Sequence, residues 1–163
     1  MNGKICTAAE AVAGITDGAS IATHFWGISG TPGTLFRALT QRDVKGLTLY
    51  INNFLAVPQM LRERGFPDPT VLLPQLKKVV TTFLGSRVFS GRGGDFLGER
   101  IKNGQLEIEM TTHGVLVDRF HAAAMGHGGF YSPIGVNTII AKGKEIRASF
   151  LLEMWQHPAR VKP

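Results

Sequence analysis

The residues of this chain best suited to chemistry lie at 17–32. An Asp17-Gly18 pair and an apolar run lead into His24-Phe25-Trp26-Gly27-Ile28-Ser29-Gly30-Thr31-Pro32. Asp-Gly reads as a tight turn. Gly27 and Gly30 permit positive φ or close approach of a ligand to the backbone, and Pro32 suits the start of a helix, where its missing N–H costs nothing. A loop that leaves a strand and enters a helix gathers unpaired N–H groups at one spot, with the positive end of the helix dipole behind them. Such a loop suits an anion or a developing oxyanion. His24 adds a group that exchanges a proton near neutrality or hydrogen-bonds a carbonyl; its other reading is a packed histidine of structural role. Trp26 reads either as a stacking surface and pocket wall or as a buried indole at a strand end.

Glu107 and Glu109 form a second constellation, alternating with Leu106, Ile108 and Met110. On a strand, that alternation puts both carboxylates on one face. Two carboxylates on one face can do acid–base work, and a half-exposed strand shows the same pattern.

The elements that must position these residues follow from periodicity and punctuation. Thr7-Ala8-Ala9-Glu10 has the form of a capping box and starts a short helix that ends by Gly14. A strand is predicted over 21–25. Beyond the glycine loop, Leu35, Phe36, Ala38 and Leu39 recur at helical spacing as one buried face. Gly46 closes that unit, and the β-forming run 47–51 ends in Asn52-Asn53, so the order is strand, helix, parallel strand.

Four prolines between 57 and 76 leave only a short helix around 59–64 and loop elsewhere. Residues 79–83 read as a buried strand, 85–94 as a glycine-rich segment, and Asp95 as the cap of a helix reaching Ile101 before Asn103-Gly104 turns the chain. A helix over 114–125 with Leu116, Phe120 and Ala123 or Ala124 inward is followed by a loop over 126–133. A last strand is predicted over 136–141. Alternating strands and helices of this kind predict an α/β fold, a mostly parallel sheet with helices on both faces, whose ligands sit at the carboxyl ends of strands.

Composition narrows the class. A chain of 163 residues with 44% hydrophobic and 18% charged residues is expected to form one folded domain. No apolar run reaches the ~20 residues of a membrane span, and Met1-Asn2-Gly3-Lys4 lacks the apolar core of a secretory signal. One cysteine, Cys6, allows no internal disulfide, which suits a reducing, cytoplasmic setting. The net charge of +6 comes from scattered residues, with no basic run longer than the pair Lys77-Lys78. It reads as a solvated basic surface and not a nucleic-acid stripe.

Residues 17–32 resemble the first signature of family I CoA-transferases, α subunit, of the 3-oxoacid, acetate or butyrate type. That signature reads Asp-Gly, apolar residues, Gly-Gly-Phe, then Gly and Pro. The likeness continues through Gly46-Leu47-Thr48-Leu49, Asn52-Asn53, Lys77-Lys78-Val79-Val80, residues 104–109, residues 114–119 and Phe130-Tyr131-Ser132-Pro133-Ile134-Gly135-Val136. The resemblance implies a Rossmann-like α/β fold and a role as one subunit of a cytoplasmic hetero-oligomer. It implies coenzyme A or acyl-CoA as substrate, a short-chain carboxylate as acceptor, and no tightly bound cofactor or metal.

By position, His24, Phe25, Trp26, Gly27, Ile28, Ser29 and Gly30 are the CoA-binding loop. The nucleophile implied is a glutamate on a β subunit, in a Ser-Glu-Asn-Gly type of motif that this chain does not contain, so no catalytic residue is expected here. Two readings stay beside it: an acyl-CoA hydrolase or ring-opening enzyme using His24, Glu107 or Glu109, and a non-catalytic subunit that binds CoA or a partner.

The departures from the family pattern are local. His24-Phe25-Trp26 stands where the family has Gly-Gly-Phe, which implies a shifted loop or a smaller pocket. His113 stands where glutamine is usual. Family α subunits run on past the predicted strand at 136–141, so the C-terminal part of the family domain is expected to be missing. Leu151, Leu152, Met154 and Trp155 would then want burial or a partner.

Overall fold

The computed structural model describes residues 5–24, 30–54, 63–65, 68–84, 96–145 and 159–161. The expected turns of Phe25, Trp26, Gly27, Ile28 and Ser29, the glycine-rich 85–94, the Asp95 cap, most of the helix expected at 59–64, and Leu151, Leu152, Met154 and Trp155 lie outside them. The chain divides into two compact units, Met1–Glu109 and Met110–Pro163.

The first unit begins as the capping box predicts. Helix α1 (Ala8–Val12) starts where the Thr7 hydroxyl accepts from Glu10 N at 3.2 Å and Thr7 N donates to the Glu10 carboxylate at 2.8 Å. Strand β1 (Ser20–Thr23) ends two residues before the predicted boundary; helix α2 (Gly33–Thr40) and strand β2 (Leu47–Phe54) follow. The Asp-Gly turn is pinned to the start of β2, because Lys45 N donates to Asp17 Oδ1 at 2.8 Å and Gly18 N donates to Lys45 O at 2.9 Å. Asp17 therefore helps set the parallel register Ser20↔Thr48 to Thr23↔Ile51.

Residues 69–75, expected as loop, form a 3₁₀ turn (Pro69–Gln75) capped by Asp68, whose carboxylate accepts from Thr70 N at 2.8 Å. Pro69 at its first position needs no N–H partner. Strand β3 (Leu76–Leu84) pairs parallel with β2, Leu49 opposite Val79. Helix α3 (Phe96–Lys102) and strand β4 (Glu107–Met110) complete a sheet of order β1-β2-β3-β4.

One face of this sheet supplies Leu47, Leu49, Ile51 and Val79, which join Val12 of α1 and Phe36 and Leu39 of α2 in a core of zero or near-zero exposure. Leu35, expected on that face, is exposed. Val80, one residue on and so on the opposite face, is also fully buried. The centre of the sheet is covered on both sides, as a parallel sheet requires. Truncating Leu49 or Ile51 to alanine costs about 2–5 kcal/mol by lost transfer energy and cavity formation. Gln75 fixes α2 from its other end, donating through Nε2 to Leu39 O at 3.0 Å and to Arg42 O at 2.8 Å, so the exposed carbonyls of the helix C-terminus are satisfied.

In the second unit, helix α4 (His113–Ala124) is capped by Thr112, whose hydroxyl accepts from Val115 N at 3.3 Å. Its buried stripe is Val115, Leu116, Arg119 and Ala122. Of the predicted inner residues only Leu116 is buried, and Phe120, Ala123 and Ala124 are exposed.

Strand β5 (Phe130–Ser132) pairs antiparallel with β6 (Ala159–Val161). The strand expected at 136–141 is absent: Gly135 (φ +86) and Asn137 (φ +60) turn the chain, and Thr138 caps a 3₁₀ turn (Ile139–Ala141). Two left-handed sites within three residues break an extended run, whatever the β propensity of Val136, Ile139 and Ile140.

Candidate functional site

The parallel strands β1, β2 and β3 end on one edge. Thr23 is level with Ile51, and Ile51 with Thr81, so β2 and β3 continue past the end of β1 through Asn52, Asn53 and Phe54 and through Thr82, Phe83 and Leu84. Carboxyl ends of such strands are where open α/β sheets bind ligands. Two hydroxyls lock this edge: Thr81 and Thr82 both donate to Asn52 O, at 2.9 and 2.7 Å. Thr81 is fully buried, while Phe83 is half exposed. Sequence reasoning missed these threonines, whose only signal is a Thr-Thr-Phe ending on an apolar strand.

His24 leaves β1 on this edge, exposed to solvent. Gly30 is left-handed at φ +70, and a Cβ built on it would stand 2.7 Å from His24 Cδ2. The structure thus brings together the first and last residues of the predicted loop, and the left-handed backbone angle favours glycine at 30.

Beyond Gly30, the Thr31 hydroxyl is buried with no hydrogen-bond partner among the described residues. Gly33 N donates back to Thr31 O at 2.9 Å, and α2 has no side-chain cap at Pro32. An uncapped helix N-terminus beside a buried hydroxyl can hold partial negative charge on a ligand oxygen. Phe25, Trp26, Gly27, Ile28 and Ser29 lie outside the described residues.

The carboxylate pair has a different surrounding. Lys78 Nζ lies 2.8 Å from Glu107 Oε1 and 2.9 Å from Glu109 Oε2. Burial of Lys78 lowers its pKa, and the hydrogen bonds and charges of Glu107 and Glu109 more than offset that, leaving it above the ordinary lysine value. A cation between them engages both glutamates, so the strand alternation serves an ion-pair network joining neighbours β3 and β4. Among the described residues no three of His, Cys, Asp and Glu gather as a metal-holding group, and no helix is long and apolar enough to cross a membrane.

Residues 5–150 match the coenzyme A transferase family. The chain belongs to that family. Its relatives include one subunit of the probable succinyl-CoA:3-ketoacid coenzyme A transferase of Mycobacterium bovis, 32% identical over 147 residues, covering 88% of this chain and 52% of the relative. The corresponding subunit of the 3-oxoadipate CoA-transferase of Pseudomonas putida is 34% identical over 158 residues, covering 91% and 62%. This coenzyme A transferase family chain therefore spans between half and two thirds of the length of these relatives.

Two solved structures share the fold. The decarboxylase AibA/AibB, in a cysteine-to-serine variant, superposes with a TM-score of 0.67 at 23% identity, over 96% of this chain and 57% of that one. Glutaconate coenzyme A-transferase from Acidaminococcus fermentans does so with a TM-score of 0.64 at 14% identity, over 98% and 53%. The family fold is the α/β architecture expected from the sequence, with a parallel sheet flanked by helices.

Proposed function

We propose that this chain is the α subunit of a heteromeric CoA-transferase. It moves CoA between an acyl-CoA, such as a 3-oxoacyl-CoA or acetyl-CoA, and a short-chain carboxylate. The single observation that carries the reading is the family match over residues 5–150. His24, Phe25, Trp26, Gly27, Ile28, Ser29 and Gly30 form the CoA-binding loop, with backbone N–H groups near Gly30 and the N-terminus of α2 facing the thioester oxygen. The nucleophile is a glutamate of the β subunit. Its carboxylate displaces CoA thiolate from the acyl group to give an acyl-glutamyl anhydride, the thiolate attacks the glutamyl carbonyl and expels the first carboxylate to leave a glutamyl-CoA thioester, and the second carboxylate runs these steps in reverse to take the CoA and free the glutamate.

The hydrolytic alternative assigns water activation to His24, Glu107 or Glu109, and the Lys78 ion pairs count against the two glutamates. The test is purification of the chain from its own cells under native conditions, sequencing of any chain that stays bound, and a CoA-exchange assay on the complex. Exchange that requires both an acyl-CoA and a free carboxylate supports the assignment. Thioester hydrolysis without an acceptor acid, or a complex inert to every pair tried, rejects it.

A further inference from the structure

Strand β1 stands at one end of the four-stranded sheet, paired with β2 on one side and, among the described residues, with nothing on the other. One bond fixes which of its backbone groups face outward. Thr48 N donates to Ala19 O at 3.0 Å, so the Ala19 carbonyl turns toward β2. Direction alternates along a strand, so the N–H and C=O of Ile21 and Thr23 also turn toward β2, and those of Ser20 and Ala22 turn away from it. Ser20 and Ala22 are exposed, whereas Ile21 and Thr23 are half-buried.

The two ends of the sheet differ in chemistry. At the far end β4 carries Glu107 and Glu109, and charged side chains guard an edge against the addition of a strand. Strand β1 has no charged residue and no proline, and its register against β2 runs without a bulge from Ser20 to Thr23. Its outward residues are also small, so their side chains do not shield the N–H groups. An edge of this kind accepts a further strand through main-chain hydrogen bonds.

A strand of the right origin exists in the family. The chain covers 52% and 62% of the two relatives described above and 57% and 53% of the two solved chains, so a large part of a family subunit lies outside the match. We propose that the outer edge of β1 docks a strand from that part, making β1 an interior strand of the complete sheet, wherever on the subunit CoA binds.

The probe is a recombinant fragment of the Pseudomonas putida subunit, comprising its residues outside the matched 158, added to the full chain while amide hydrogen exchange is followed by NMR. The Ser20 and Ala22 amides should slow by about tenfold or more on addition, with Ile21 and Thr23 already slow and the amides of 107–110 unchanged. Ala22→Pro removes an outward N–H and leaves every bond to β2 in place, as proline on an edge strand allows. It should weaken fragment binding by about tenfold or more, and so should Ala22→Lys, which keeps the backbone donor and adds a guarding charge.

Protection at 107–110 in place of β1, protection at neither, or undiminished binding by both variants overturns the inference. The same two amides should be protected in the native assembly purified from the protein's own cells, and rapid exchange there overturns the inference even if the fragment fails to fold. A native assembly that protects Ser20 and Ala22 but exchanges no CoA supports it and rejects the transferase reading alone.

Discussion

The Lys78 ammonium lies 2.9 Å from Glu109 Oε2, across the boundary between neighbouring strands β3 and β4, and Glu107 reaches the same nitrogen at 2.8 Å. The lysine side chain is mostly covered, while Glu107 stays largely in solvent. The network therefore adds a modest, partly screened stabilisation and fixes where β4 lies.

Replacing Lys78 with methionine should lower unfolding free energy by about 1 kcal/mol at neutral pH. The pKa of Lys78 is raised on folding, so its contribution is complete below the unfolded value near 10.5 and is lost as pH rises through the higher folded value. Urea melts of wild type and variant should thus differ at neutral pH and converge as pH rises beyond 10.5 through the higher folded value. A difference that persists at high pH would assign the effect to packing of the lysine stem.

Glu10 should titrate below the ordinary glutamate value of 4.5, chiefly through the Thr7 N–H and then through the Thr7 hydroxyl. Thr7→Val keeps the backbone donor and removes the hydroxyl, so carboxyl NMR should show the midpoint moving only part of the way back. With the folded value depressed, the capping contribution is present above pH 4.5 and fades as pH falls through the lower value. Full recovery in Thr7→Val would show that the backbone bond contributes nothing.

Gly30→Ala should cost about 1–2 kcal/mol for the left-handed backbone, and more for displacing the imidazole. In a His24→Gly background only the backbone part should remain, giving a coupling above about 0.5 kcal/mol in a double-mutant cycle. Strict additivity in denaturant melts would mean that the two residues do not touch in solution.

Thr81→Val and Thr82→Val should each cost about 0.5–1.5 kcal/mol by removing one of two side-chain donors to Asn52 O. The double variant should cost more than the sum, because the carbonyl then loses both side-chain partners. Chemical denaturation of the three variants reads this directly, and simple additivity would show that the hydroxyls act independently.

Much of the first unit was legible because its signals are local. The Thr7–Glu10 box, the Asp17-Gly18 turn, the strand–loop–helix–strand order and the Asn103-Gly104 turn are set by groups a few residues apart, whose hydrogen bonds or φ preferences need nothing from elsewhere. The family likeness, spread along most of the chain, named the same α/β class.

What sequence alone determined, then, was the order of elements in the first unit and the class of the sheet. Local hydrogen bonding, hydrophobic period and glycine conformation act within a few residues. Tertiary structure alone decided that His24 seats on Gly30, that Lys78 holds Glu107 and Glu109 together, and that Thr81 and Thr82 tie β3 to Asn52. It also decided that Arg119 and not Phe120 turns inward on α4, and that residues 136–141 coil where their β-branched side chains suggested a strand. Each of these depends on which distant atoms share a volume, and side-chain type and spacing along the chain carry no record of that.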